Sequence, residues 1–251
     1  MTSKIPLILI PGLAADETLW QGQVDGLGPL LADRHPVRVT DVISRFATHV
    51  EMAAALLDEH PGQLILAGSS MGGIVAMEVM RQAPNRIAAW ALLGTTARAD
   101  TVEMKAIREA AFALIDDGQF EKVIVDNVPV SFHESRLHDQ PLIDVLLGFL
   151  RRSGPAQLVS QNIATMARPD SRPTLATVNC PTLVMCGDSD RVTPPELSRE
   201  IASLIPHARL ELVKDCGHLL TMERPAEVNA VLLDWLDSLD LGALTAESVR
   251  S

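Results

Sequence analysis

An α/β fold, with a doubly wound and mostly parallel sheet of about six strands, is what this 251-residue sequence predicts. Three observations carry the prediction. Apolar strand-like runs alternate with helix-patterned stretches through the first part of the chain, as a parallel sheet covered by helices on both faces requires. The pentapeptide Gly68-Ser69-Ser70-Met71-Gly72 sits where one such run gives way to a helical pattern. Two further strand-like runs return after a long stretch that is helical throughout.

In chain order, strands are expected at 6–10, 37–41, 63–68 and 87–93, with helices near 19–31, 48–59 and 71–82. Right-handed crossovers between parallel strands then give the doubly wound order. After Gly94 the rhythm changes. Residues 102–116, 120–127, 142–150 and 156–167 carry apolar side chains three and four apart, punctuated by Gly118, Pro129, Pro141 and Gly154-Pro155. The sheet resumes with the runs 181–186 and 208–213, and a last helix is expected around 226–239. The reading is one domain over 1–251, with a helical insertion at 98–172 inside it. Repeats and low-complexity segments are not evident.

Composition narrows the function. A formal charge of −11 argues against nucleic acid and against anionic membrane surfaces. It leaves an anionic substrate open, because a few local arginines can outweigh a distant field. The three cysteines cannot all pair and none has metal-ligand spacing, so they are read as reduced thiols in a cytoplasmic protein. Cys216 is read as a small packing residue. Lys4 and the apolar run 5–10 faintly suggest a signal peptide, but cleavage after Ala15 would remove the first strand. No apolar run reaches the roughly 18 residues a bilayer span needs. No metal and no cofactor are expected.

Three chemically distinctive groups lie just past the C-terminal ends of predicted strands, where open parallel sheets form their ligand crevice. Ser70 follows the third strand, with glycines on both sides of its turn. Asp188 and Asp190 follow the run 181–186, and either could orient an imidazole; His218 follows the run 208–213. A serine hydroxyl is a poor nucleophile until a histidine accepts its proton and a carboxylate fixes that histidine's tautomer.

Leu9-Ile10-Pro11-Gly12-Leu13 with Trp20, Gly68–Gly73, Pro181–Val184, Gly187-Asp188-Ser189-Asp190 with Thr193-Pro194, and Cys216-Gly217-His218 with Glu223-Arg224-Pro225 carry a resemblance. Over nearly its whole length the chain resembles the α/β-hydrolase superfamily, and within it small bacterial carboxylesterases and 3-oxoadipate enol-lactonases. The resemblance implies a serine hydrolase acting on a small carboxylic ester or lactone through an acyl-enzyme. Ser70 would be the nucleophile and His218 the base. Asp190 would be the acid, because it fits the family's Gly-x-x-Asp followed by Thr-Pro. The backbone N–H groups of Leu13 and Met71 would form the oxyanion hole. The insertion would be the cap, and the chain would start on the superfamily's third strand, without the antiparallel leading hairpin. One departure stands in the first loop, Pro11-Gly12 where His-Gly is usual; proline has no N–H to donate.

Substrate contacts are expected from Leu13 and Met71, and from Trp20, Phe112, Phe120, Phe132 and Phe149. With no tyrosine in the chain the pocket should be largely aliphatic. Arg98, Arg136, Arg151, Arg152 and Arg168 are of the type that recognises a substrate carboxylate, but as a set they read as a solvated face; His35, His60 and His207, beside prolines, read as surface residues. Two alternatives stay in view: a lyase or C–C bond hydrolase on the same triad, and a ligand-sensing regulatory protein on the same scaffold. Plant hydroxynitrile lyases carry lysine directly after the histidine, where this chain has Leu219.

Overall fold

The sheet is built from β1 (Leu7–Ile10), β2 (Val37–Val39), β3 (Leu64–Ser69), β4 (Ile87–Leu93), β5 (Thr182–Gly187) and β6 (Arg209–Val213). The computed structural model describes residues 4–239; the two ends of the expected 1–251 domain lie outside the described residues. The strand order is β2-β1-β3-β4-β5-β6, and every pairing is parallel. The expectation of a mostly parallel sheet is thus sharpened to a wholly parallel one among the described residues.

β1, β3, β4 and β5 are buried along their whole length. Alternate side chains feed two separate cores, so the strands read as unbroken apolar runs rather than as alternating ones. Leu7, Leu9, Ile65 and Ala67 face one core, which includes Leu27 and Leu31 of α1 (Gln21–Leu31) and Leu232, Trp235 and Leu236 of the last helix. Ile8, Ile10, Leu64 and Leu66 face the other. There they meet side chains of α3 (His49–Glu59) and α4 (Met71–Gln82), which follows the single turn α2 (Val42–Arg45) and α3 in the chain. Thr48 and Glu51 close the start of α3 with a reciprocal capping box.

Between β4 and β5 the chain is helical: α5 (Val102–Asp116), α6 (Phe120–Asp126), α7 (Val128–Ser131), α8 (Gln140–Met166) and α9 (Arg172–Leu175). The span α8 consists of the two expected helices, which meet at a kink where Gly154, at φ 75° and ψ 172°, leaves the helical path. The remaining helices are α10 (Pro195–Leu204), α11 (Leu220–Glu223) and α12 (Pro225–Asp237).

β1 lies between β2 and β3, so successive connections leave it in opposite directions. That reversal point, at the carboxyl ends of the strands, is where an open α/β sheet leaves a crevice. The loop after β1 and the turn after β3 therefore become neighbours, with Ile10 paired to Gly68.

Candidate active site

The turn from β3 into α4 is tight enough that its glycines are obligatory. A Cβ on Gly68 would lie 2.4 Å from the Gly72 carbonyl oxygen, and one on Gly72 would lie 2.1 Å from that of Ile10. Ser70 sits at the apex with φ 53° and ψ −116°, a left-handed conformation unusual for a residue with a side chain. Its N–H donates to the Leu93 carbonyl at 2.8 Å, which anchors the strained residue to β4.

The turns after β5 and β6 bring the other two groups to this apex. His218 Nε2 is 2.9 Å from Ser70 Oγ, and His218 Nδ1 is 2.9 Å from Asp190 Oδ2. Asp190 is buried. Its Oδ1 accepts from the Val192 and Thr193 N–H groups at 2.8 and 2.9 Å, and Oδ2 accepts from the Thr193 hydroxyl at 2.9 Å. Burial by itself would raise its pKa. The adjacent His218 and the Thr193 hydrogen bonds outweigh that and hold the carboxyl below its ordinary range. An ionised Asp190 demands the imidazole proton on Nδ1, which leaves Nε2 to accept from the serine hydroxyl.

Asp188 has a different job. Its Oδ1 accepts from the Ser189 hydroxyl at 2.9 Å and from the Cys216 N–H at 3.4 Å, tying together the turns after β5 and β6. The pair left open in the sequence thus separates by geometry, and only Asp190 reaches His218. Buried Glu223 holds the histidine loop by accepting from the N–H groups of Gly217 (3.0 Å) and His133 (2.9 Å). Ser131 of α7 helps from the helical segment, its carbonyl accepting from the His218 N–H at 3.0 Å. Cys216 is fully buried and desolvation pushes its thiol pKa up, so it is no rival nucleophile.

The loop after β1 passes directly over the turn, where a Cβ on Gly12 would lie 3.4 Å from Ser70 Cβ. Among the described residues, no protein acceptor takes up the N–H of Leu13 or of Met71, the first residue of α4. The next residue, Ala14, is left-handed at φ 54°. Gln161 of α8, buried and invisible to any motif, fixes it: Oε1 accepts from Ala14 N–H at 2.5 Å, and Nε2 donates to the Ile43 carbonyl at 2.7 Å.

A cavity of about 310 Å³ opens above Ser70, lined from the sheet side by Leu13, Met71 and His218 and from the helical segment by α5, α6 and α8. Phe112 and Phe149 line it; Trp20, Phe120 and Phe132 do not. Trp20 and Phe132 are spent in the core and Phe120 packs against it, because aromatic side chains at helical spacing serve packing first. Two further expectations need correcting. Arg168 belongs to no solvated face but is buried at the cavity wall, and His35 is buried with Nδ1 2.9 Å from the Ile5 carbonyl oxygen. A larger cleft of about 590 Å³, around Met80, Asn85 and Pro173, shares no residue with this cavity. Among the described residues no cluster of three or more His, Cys, Asp or Glu side chains could hold a metal ion, and no helix is long and apolar enough to cross a membrane.

A parallel sheet of this order, carrying a serine on a left-handed strand-to-helix turn within reach of a histidine, defines an α/β hydrolase. The profile of the alpha/beta hydrolase family matches residues 7–231, and the chain belongs to that family. It is 26% identical, over 93% of its length and 94% of the other's, to the Mycobacterium tuberculosis protein provisionally described as non-heme bromoperoxidase BpoC. Its structure is similar to that of a thermophilic esterase from Thermogutta terrifontis, with a TM-score of 0.81, 28% identity, and coverage of 94% of this chain and 90% of that one. The enol-lactonase of Burkholderia xenovorans shares the fold, with a TM-score of 0.79 at 22% identity over 94% and 93% of the two chains.

Proposed function

We propose that the protein is a serine hydrolase that cleaves a small carboxylic ester or lactone through an acyl-enzyme. The observation that carries this reading is the unbroken line of hydrogen-bonding atoms from Ser70 Oγ through His218 to Asp190. Ser70 Oγ attacks the carbonyl carbon as its proton passes to His218 Nε2, and Asp190 stabilises the resulting imidazolium. The tetrahedral oxyanion is met by the N–H groups of Leu13 and Met71; loss of one such donor costs about 3–4 kcal/mol of transition-state stabilisation. Collapse breaks the bond to the leaving oxygen, which takes the proton back from His218. In a lactone that alcohol stays tethered to the acyl group. Water then repeats the sequence and frees Ser70.

The helical segment 98–172 acts as the cap, since it supplies most of the cavity's apolar wall. Leu219, in that wall, cannot hold or deliver a proton as a lysine would, which argues against a lyase of the hydroxynitrile type. The kinship to an esterase at 28% identity supports hydrolysis. The test is a panel of short aliphatic esters, lactones and thioesters assayed with wild type and Ser70→Ala. Turnover of at least one ester or lactone is expected, with a loss on the order of a millionfold in the folded variant. Equal activity in the two proteins would remove Ser70 from the reaction.

A further inference from the structure

The chain carries 32 acidic and 21 basic residues, yet among the described residues no aspartate or glutamate lines the cavity above Ser70. Besides His218, its only charged wall residues among those described are Arg108 of α5 and Arg168, which follows α8. Both are built into place. Arg108 Nε donates to Asp100 Oδ2 at 2.8 Å, and Nη1 donates to Asn162 Oδ1. Arg168 Nε donates to the Arg98 carbonyl at 2.8 Å and Nη1 to that of Thr165 at 3.0 Å, while Nη1 also stands 2.6 Å from Asp100 Oδ1 at an angle outside hydrogen-bond geometry.

The Asp100 side chain is completely buried, and among the described residues it is the only carboxylate that pairs with these two guanidinium groups. Two positive charges against one negative leave a surplus of one. The Nη2 group of each arginine makes no hydrogen bond to the protein among the described residues. Arg168 is nearly sealed, with a side chain 2% exposed, whereas Arg108 keeps 21% and faces the cavity. Thr95, Thr96, Asn127, Asn162, Thr165 and Thr193 are among the polar side chains of the lining, and most of the rest is aliphatic or aromatic.

From this arrangement we infer that the substrate carries a carboxylate, bound by Arg108 in the cavity wall while its ester or lactone carbonyl lies at Ser70. The inference rests on the hydrolase reading and names the substrate class within it. One surplus charge matches one carboxylate, and a planar guanidinium suits a planar two-oxygen acceptor. A phosphate dianion would leave one negative charge uncompensated in a low-dielectric wall. The isolated positive charge also overcomes the chain's overall negative field, which would otherwise turn such a substrate away.

The experiment compares monoethyl glutarate with ethyl valerate, esters of equal acyl length that differ in a terminal carboxylate, by titrating released acid. Wild type should prefer the glutarate ester. In Arg108→Gln the glutarate-to-valerate ratio of kcat/KM should fall by about tenfold to a hundredfold, the worth of a charge-assisted hydrogen bond. Arg108→Lys, which keeps a cation beside Asp100, should lose less and serves as the readout if the glutamine variant unfolds. A wild type without the preference, or a ratio unchanged in both folded variants, overturns the carboxylate subsite. Calorimetric titration of Ser70→Ala with both esters separates the two levels. Selective binding of monoethyl glutarate, with no ester, lactone or thioester of the panel turned over by wild type, would sink the hydrolase reading alone, whereas turnover without selectivity would sink the subsite alone.

Discussion

At the scale of single residues, the decisive contrast lies between two aspartates two positions apart. Asp190 spends its side chain on His218 and Thr193, and Asp188 spends its own on the two turns. Asp190→Asn should therefore lower kcat by about 10⁴, because an amide no longer enforces the tautomer that leaves Nε2 free. Asp188→Asn should cost less than about tenfold, since an Asn side chain can serve such a turn. Steady-state kinetics on both variants decide the matter, and equal inactivation would contradict the assignment. The serine, histidine and aspartate candidates could be read in the sequence because each stands in a short local pattern. Thr193 was visible only as half of a Thr-Pro pair. Gln161, Arg108, Asp100 and the burial of Arg168 were not readable, because their partners are distant in sequence or lie outside any motif. Aromatics misled for a related reason: an apolar residue reports that it is buried, not which cavity or core it faces.

Among the elements, the long ones declared themselves through periodicity. Met71–Gln82, Val102–Asp116 and Ile87–Leu93 fall where the pattern put them. The single-turn helices α2, α7, α9 and α11 are too short to show a 3.6-residue repeat, and proline or glycine punctuation reads the same in a loop. Gly154-Pro155 is a strong breaker that the sequence shows plainly, and the helical path of α8 is interrupted there, at Gly154, as two separate helical stretches require. The consequential link between elements is the one α8 makes to the loop after β1. Gln161→Leu strips the Ala14 N–H and Ile43 carbonyl of their buried partner, at about 1–3 kcal/mol for each unsatisfied group. We expect a lower melting temperature. We also expect kcat to fall more than tenfold with KM nearly constant, because the proposed oxyanion donor, the Leu13 N–H, would be displaced and its contribution belongs to the transition state. A destabilised variant with unchanged kcat would show that the loop holds its shape without the helix.

On the scale of the whole molecule, stability should respond to pH through a residue remote from any motif. His49, at the start of α3, is buried with neither ring nitrogen hydrogen-bonded. Burial, reinforced by the positive charge of Arg168, lowers its pKa to about 4. Its neutral form is favoured in the fold, so the stability it confers is complete above about pH 6.5 and is lost as pH falls toward 4. Between pH 7 and 4.5 that loss is about 2 kcal/mol. Urea melts at the two pH values should show a drop larger by this amount in wild type than in His49→Leu; parallel losses would contradict it. Composition could exclude broad partner classes, but a net charge of −11 hides a cavity wall of the opposite sign. Bulk charge counts residues; recognition depends on which few of them the fold turns inward.

The account stands or falls on Ser70 being the activated nucleophile. Treating the folded protein with a fluorophosphonate and locating the adduct by peptide mass spectrometry measures this directly. One adduct on Ser70 is predicted, absent from Ser70→Ala and much slower to form in Asp190→Asn. An unlabelled Ser70 in folded wild-type protein, or a sole adduct elsewhere, would contradict it.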